Sequence, residues 1–168
     1  MHVHAQPITH DPTPHGDQVV QLSGAVWSDY ERLLAIRGER STPRISYVEG
    51  TIEIMTPSRD HETLKSYIGC LVETYCLERG IRFIPVGAWT LKDQSEERGA
   101  EPDECYLFGD ADPNADRPHL AIEVEWTSNR IDKLRIYSRL GVGEVWYWRR
   151  GRIEVYGLEG DRYQRLDR

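Results

Sequence analysis

Leu120-Ala121-Ile122-Glu123-Val124-Glu125-Trp126 sets two carboxylates into an otherwise apolar run, and Glu101-Pro102-Asp103-Glu104-Cys105-Tyr106-Leu107-Phe108 precedes it. Alternation along an extended chain puts Glu123 and Glu125 on one face, with Ile122 and Val124 on the other. Asp103 on a neighbouring strand can converge with them, and Lys133 follows on a basic, helix-patterned stretch. Hard oxygen ligands at a sheet end suit Mg²⁺ or Mn²⁺, which take a few carboxylates and retain several waters. A lysine beside them stabilises charge developing on a phosphate. These are the parts of a metal-dependent phosphodiesterase. Asp103 and Glu123 are the first-choice metal ligands, Glu125 a third ligand or a base that orients water, and Lys133 the charge stabiliser. Paired acids also serve on edge strands to discourage edge pairing. An acid on a central, apolar strand instead needs a partner or a metal. Residue patterns alone leave both readings open.

Outward from these strands, the pattern predicts helix, hairpin, helix, several strands, helix, hairpin. Ser28-Asp29-Tyr30-Glu31 has the form of a capping box opening a helix through Arg37, stopped by Gly38. Arg44 to Val48 and Thr51 to Met55 read as strands joined at Glu49-Gly50. A helix from about Asp60 to Arg79 carries Leu64, Tyr67, Ile68, Leu71, Val72 and Tyr75 at helical spacing, with Gly80 as its stop. Its first residues, His61 and Glu62, are weaker candidates for the site, Glu62 as a second metal or water contact; Asp60 is a candidate N-cap. Ile81 to Val86 and Ala88 to Leu91 read as one interrupted strand or a pair, and Lys92 to Ala100 as a charged loop. Strands follow at about Asp103 to Phe108 and His119 to Glu125, then a helix from about Arg130 to Leu140 ending at Gly141. Glu144 to Arg149 and Arg152 to Tyr156 form a second hairpin across Arg150-Gly151, extended by Arg162 to Leu166. The expected class is α/β in the mixed α+β sense, one mixed sheet flanked by helices. Residues 1–21, rich in His and Pro, are expected to be a flexible lead-in to one domain over residues 22–168.

The chain has 168 residues, 39% hydrophobic and 29% charged, which fits one soluble globular domain. No apolar run approaches the ~20 residues of a membrane helix. The N-terminus lacks a signal pattern, so a cytoplasmic protein is expected. Cys70, Cys76 and Cys105 sit in apolar patterns and are expected to be buried free thiols. A net charge of −7 argues against a generic nucleic-acid coat protein, since such affinity comes from Lys and Arg meeting phosphates. The distribution tempers this: Arg130, Lys133, Arg135, Arg139, Arg149, Arg150 and Arg152 cluster late in the chain, whereas acids gather between Glu96 and Asp116. Such a basic segment is equally a solvated helix face plus a hairpin turn. Trp126, Trp146, Tyr147 and Trp148 read as core and interface aromatics.

Several stretches together resemble one family. Tyr47-Val48-Glu49-Gly50-Thr51-Ile52-Glu53-Ile54-Met55-Thr56-Pro57-Ser58, followed by His61, resembles the hairpin-to-helix opening of the Uma family, whose members are assigned to restriction endonucleases by fold and motif. Glu101-Pro102-Asp103 is similar to its Pro-Asp motif. Glu123-Val124-Glu125-Trp126-Thr127-Ser128, then Asp132-Lys133-Leu134 and Tyr137, resembles its acidic strand and lysine-bearing helix. Gly141-Val142-Gly143-Glu144-Val145-Trp146 resembles its closing turn and strand. The resemblance spans roughly residues 23–157 in the family's order. It implies the PD-(D/E)XK nuclease superfamily, with a restriction-endonuclease-like mixed sheet flanked by helices and Mg²⁺-dependent DNA cleavage. Carried over by position, Asp103 and Glu123 become the metal-binding acids. The superfamily lysine normally lies two residues after the strand glutamate, where this chain has Glu125, so the resemblance implies a lysine moved to the next helix as Lys133. Nucleases of this kind often act as homodimers, and the Trp146 to Tyr156 hairpin is the expected interface. Two further readings stand beside a DNA endonuclease. One is a catalytically degenerate DNA-binding or assembly module, favoured by Glu125 in the lysine position. The other is a small-molecule phosphoesterase using the same acids.

Overall fold

A computed structural model describes residues 16–112, 114–125 and 131–167. Its chain order is β1 (Gln18–Ser23), α1 (Trp27–Arg37), β2 (Arg44–Val48), β3 (Thr51–Thr56), α2 (Arg59–Arg79), β4 (Phe83–Pro85), β5 (Leu91–Asp93), β6 (Arg98–Ala100), β7 (Glu104–Phe108), β8 (Leu120–Glu125), α3 (Lys133–Leu140), β9 (Glu144–Arg149), β10 (Arg152–Glu159) and β11 (Arg162–Leu166). The mixed α+β class is as expected, but the strands divide between two sheets rather than forming one. The first runs β1-β3-β2-β6-β5 and is antiparallel throughout. The second runs β11-β10-β9-β8-β7-β4, and among the described residues its one parallel pair, β8 with β9, is the one that α3 connects. A parallel pair needs such a crossover, because a tight turn can only reverse the chain.

Each helix covers one sheet face. Tyr30 and Leu34 of α1 pack on Ile45, Tyr47 and Ile52 of the first sheet. Ile68, Val72 and Cys76 of α2 pack on Tyr106, Leu120, Ile122 and Val124 of the second. Ile136 and Tyr137 of α3 lie on the opposite face, against Ala121, Val145 and Tyr147, and reach Leu91 and Ala100 of the first sheet. The expected alternation therefore holds in β8: Leu120, Ile122 and Val124 face α2, while Ala121 and Glu123 face α3. Full burial of an Ile or Val side chain stabilises by roughly 1.5–3 kcal/mol, so this strand's orientation is strongly fixed.

Local chemistry explains the boundaries. Glu49 (φ 44) and Gly50 (φ 82) turn the β2–β3 hairpin, and Arg150 (φ 51) with Gly151 (φ 79) turn β9–β10, both with the two positive φ angles of a type I′ turn. Helix α2 starts one residue earlier than expected, because Ser58, not Asp60, is its N-cap; the Ser58 hydroxyl accepts the His61 N–H at 3.2 Å. Helix α1 likewise starts before Ser28, where the Asp29 carboxylate accepts the Val26 N–H at 3.0 Å. The expected charged loop at 92–100 is a hairpin: Asp93 Oδ1 accepts the Ser95 N–H at 2.8 Å and folds β5 back onto β6. The lead-in expected through residue 21 ends sooner, because Gln18–Ser23 finds backbone partners along β3. The expected start of the third helix at Arg130, and Trp126, lie outside the described residues. Cys76 and Cys105 are buried free thiols, but Cys70 is exposed on the outer side of α2.

Candidate active site

The chain leaves the first sheet at β6 and enters the second at β7, and Glu101-Pro102-Asp103 is the link. Both acids in it are buried, Glu101 at 2% and Asp103 at 1% exposure. Glu101 is structural: its Oε2 accepts the Ile45 N–H at 2.9 Å, and Oε1 accepts from Arg37 and Thr90 at 2.5 Å. Asp103 sits at the end of the β7–β8 ladder, where Glu104 pairs with Ile122. Its N–H donates to Ile122 O at 3.1 Å, and its Oδ2 accepts the Val124 N–H at 2.7 Å. This brings its carboxylate alongside the Glu123 backbone.

Glu123 and Lys133 are each 3% exposed. The Lys133 ammonium donates to both Glu123 oxygens, at 2.9 and 2.7 Å, and to Glu101 O at 3.2 Å. The Tyr137 hydroxyl, one helical turn on from Lys133, also donates to Glu123 Oε1. Asp132 caps α3 by accepting the Leu134 N–H at 3.1 Å, so the helix begins with Lys133 directed at the strand. Glu53 of β3 ties the start of this segment down, accepting from Gln21 at 3.0 Å and from the Ile131 N–H at 2.9 Å.

Two cations stand at Asp103. Arg44 Nη1 lies 3.1 Å from Oδ1, and both Nη atoms donate to Glu62 Oε1 at 3.2 Å. His61 Nε2 lies 3.0 Å from Oδ2, while Nδ1 lies 2.9 Å from Asp17 Oδ2. These two approaches are charge–charge contacts off the hydrogen-bonding direction: among the described residues, Asp103 Oδ1 and His61 Nε2 are buried without a hydrogen-bond partner. Burial alone raises the pKa of Asp103, but Arg44, then His61 and Lys133, outweigh it and hold the carboxyl well below the usual range. Glu123 moves the other way: burial raises it, Asp103 adds to the rise, and Lys133 and Tyr137 only partly oppose. Burial lowers His61, but the carboxylates of Asp103 and Asp17 overcome this and lift it to about 9. The two acids are thus pushed apart in acidity, a pattern that marks functional carboxylate pairs.

The structure therefore brings together Asp103, Glu123, Lys133 and His61 of the sequence-predicted set. Glu62 reaches the group only through Arg44 and is 40% exposed at its side chain. Glu125 pairs instead with Arg149, its partner across the parallel pair, whose guanidinium holds Oε2 at 2.8–2.9 Å. It lines a small cleft with Glu123, Ile131, Lys133 and Tyr147. Arg44, Asp17 and Tyr137 are neighbours of these side chains that the sequence did not single out for the site. Tyr137 had a signal in its i+4 spacing from Lys133; Arg44 and Asp17 had none, since only the tertiary fold brings them in.

Among the described residues, no three His, Cys, Asp or Glu side chains form a metal cage. Mg²⁺ does not require one, being held commonly by one or two carboxylates plus waters. Asp103 Oδ1, buried without a hydrogen bond, and the Glu123 carboxylate are donors of the right hardness for it. No described helix is long and apolar enough to cross a membrane.

Among curated proteins none matches the chain. The family model Uma2, described as "Putative restriction endonuclease", matches residues 27–168, which include α1, α2 and α3 and the whole Asp103–Glu123–Lys133 cluster. This chain belongs to the Uma2 family, and its fold is the mixed α+β arrangement expected of a restriction-endonuclease-like domain.

Proposed function

We propose that this protein is a metal-dependent endonuclease that hydrolyses phosphodiester bonds in DNA. The observation that carries the reading is the meeting of the Asp103 carboxylate, the Glu123 carboxylate and the Lys133 ammonium at the end of one strand. Asp103 and Glu123 would hold Mg²⁺ or Mn²⁺. Such an ion, when bound, polarises a phosphate and lowers the pKa of an attacking water. The chain's own residues do the remaining work. Lys133 supplies, from the helix, the cation that the strand lacks at Glu125, and neutralises charge developing on the scissile phosphate. Tyr137 holds the Glu123 carboxylate in its rotamer. Glu125 is left out of the ligand set and orients water from the rim of the small cleft it shares with Glu123 and Lys133.

Cleavage of supercoiled plasmid in Mg²⁺, and separately in Mn²⁺, tests this with wild type and Asp103→Asn purified identically. Nicking or linearisation by wild type alone is the expected result. Equal activity in both proteins sinks the assignment of Asp103, and turnover of mononucleotides without DNA cleavage favours a small-molecule phosphoesterase.

A second reading, a degenerate DNA-binding or assembly module, is favoured by one observation: both Glu123 oxygens are already taken by Lys133, and the pair is almost sealed from solvent. It predicts no cleavage in either metal with DNA binding intact. A homodimer also belongs to the main reading, so that both strands can be cut. Ile153 and Trp146 of the β9–β10 hairpin, with Leu71, Tyr75 and Ile81, line an apolar groove of 710 Å³ that supports such an interface.

A further inference from the structure

Asp17 enters the site from outside the family-matched residues, just ahead of β1. Its side chain is fully buried. Oδ1 accepts the Ser58 N–H at 2.8 Å, at the start of α2, and Oδ2 accepts from His61 Nδ1 at 2.9 Å. On the far side of the ring, Nε2 lies 3.0 Å from Asp103 Oδ2. The ring is oriented by its Nδ1 hydrogen bond to Asp17, which turns Nε2 toward Asp103 Oδ2 as a charge–charge contact. Asp103 Oδ2 is thereby engaged from two sides, by the ring and by the Val124 N–H. Among the described residues Oδ1 is left without a hydrogen bond, 3.1 Å from the Arg44 guanidinium. A carboxylate held by one oxygen presents the other in a fixed direction, and carboxylates that bind metals are themselves held by such outer partners.

We propose that Asp17 and His61 are a positioning pair that fixes Asp103 Oδ2, so that Oδ1 is presented to the divalent cation of the proposed reaction. The inference rests on the metal-dependent reading above. It assigns a role to a residue that the family-matched stretch does not include, and neither Asp17 nor His61 contacts the cation in it.

The test is titration calorimetry of the full chain with Mn²⁺ alone, without DNA. Asp17→Asn is expected to bind Mn²⁺ about 10–100-fold more weakly than wild type, the usual cost of losing an outer partner of a metal ligand. Gly80→Ala destabilises the same helix at its far end, where φ is +65°, and is expected to leave Mn²⁺ affinity unchanged. In the metal-free protein, the hydrogen-bonded Nδ1–H signal of His61 in proton NMR is expected to vanish in Asp17→Asn. Wild-type affinity in Asp17→Asn overturns the proposal. An equal loss in Gly80→Ala overturns it too, by exposing a merely structural effect, and so does the absence of Mn²⁺ binding by wild type. Should wild type bind Mn²⁺ with an affinity that falls in both Asp103→Asn and Asp17→Asn yet leave plasmid intact, the positioning pair stands and the nuclease reading falls.

Discussion

At the scale of single residues, the site is a set of buried charges that neutralise one another. Lys133 and Glu123 are each almost fully buried, so removing one partner strands the other. Lys133→Met is expected to lower the unfolding free energy by about 3–5 kcal/mol, the cost of an uncompensated buried charge. Adding Glu123→Gln should recover much of that loss, which urea denaturation in chelator will read as a double-mutant coupling. His61 gives a pH signature in the chelated protein. Its folded pKa, about 9, lies above the ordinary 6.5, so folding favours the protonated ring. The stabilisation is complete below about pH 6.5 and is lost as pH rises through about 9. Thermal melts are expected to fall across that window, and His61→Gln should flatten this part of the profile. Asp103, Glu123, Lys133 and His61 were legible as candidates because acids in apolar strands and a lysine on a following helix are local patterns. Arg44 and Asp17 were not, since an arginine opening a strand and an aspartate in a polar lead-in look ordinary until the fold buries them.

Among the elements, β6 shows how closely the layers are fitted. Gly99 pairs with Tyr47 of β2 under the ring of Tyr30 from α1, and a Cβ at Gly99 would run into that ring. Gly99→Ala is expected to cost about 1–3 kcal/mol through overpacking, read as a lower urea midpoint with an unchanged slope. Because β6 runs directly into Glu101 and Asp103, the same change should also weaken Mn²⁺ binding, which calorimetry checks. The sequence pattern predicted the elements with strong punctuation: the hairpins at Glu49-Gly50 and Arg150-Gly151, and the end of α2 at Gly80. Three-residue strands such as β5 and β6 gave too few alternations to be read, so that stretch looked like a charged loop.

Taken as a whole molecule, the protein gathers most of its buried charges around the site and leaves an apolar stripe exposed on α2. Tyr67, Leu71 and Tyr75 recur every fourth residue along α2 and are 65%, 68% and 57% exposed, beside the groove that Trp146 and Ile153 help to line. Helical spacing suggested an inward face for these three, but the sheet beneath takes Ile68, Val72 and Cys76, with Leu64 partly buried beside them. An exposed apolar stripe of this kind marks an interaction surface, and a second copy is the occupant that the proposed function requires. Equilibrium sedimentation is expected to show a dimer for wild type and a monomer for Leu71→Glu; a wild-type monomer at every concentration removes the dimer. The sequence by itself determined the mixed α+β class, most elements, and the residue types of the site, because periodicity, turn residues and acids in apolar runs act over a few positions. Only the tertiary structure decided that the strands form two sheets, that Glu125 is given to Arg149, and that Asp17 and Arg44 close on Asp103. Those outcomes depend on which strands pair and which charges are desolvated together, and such pairings join residues as far apart as Asp17 and Asp103 that no local pattern connects.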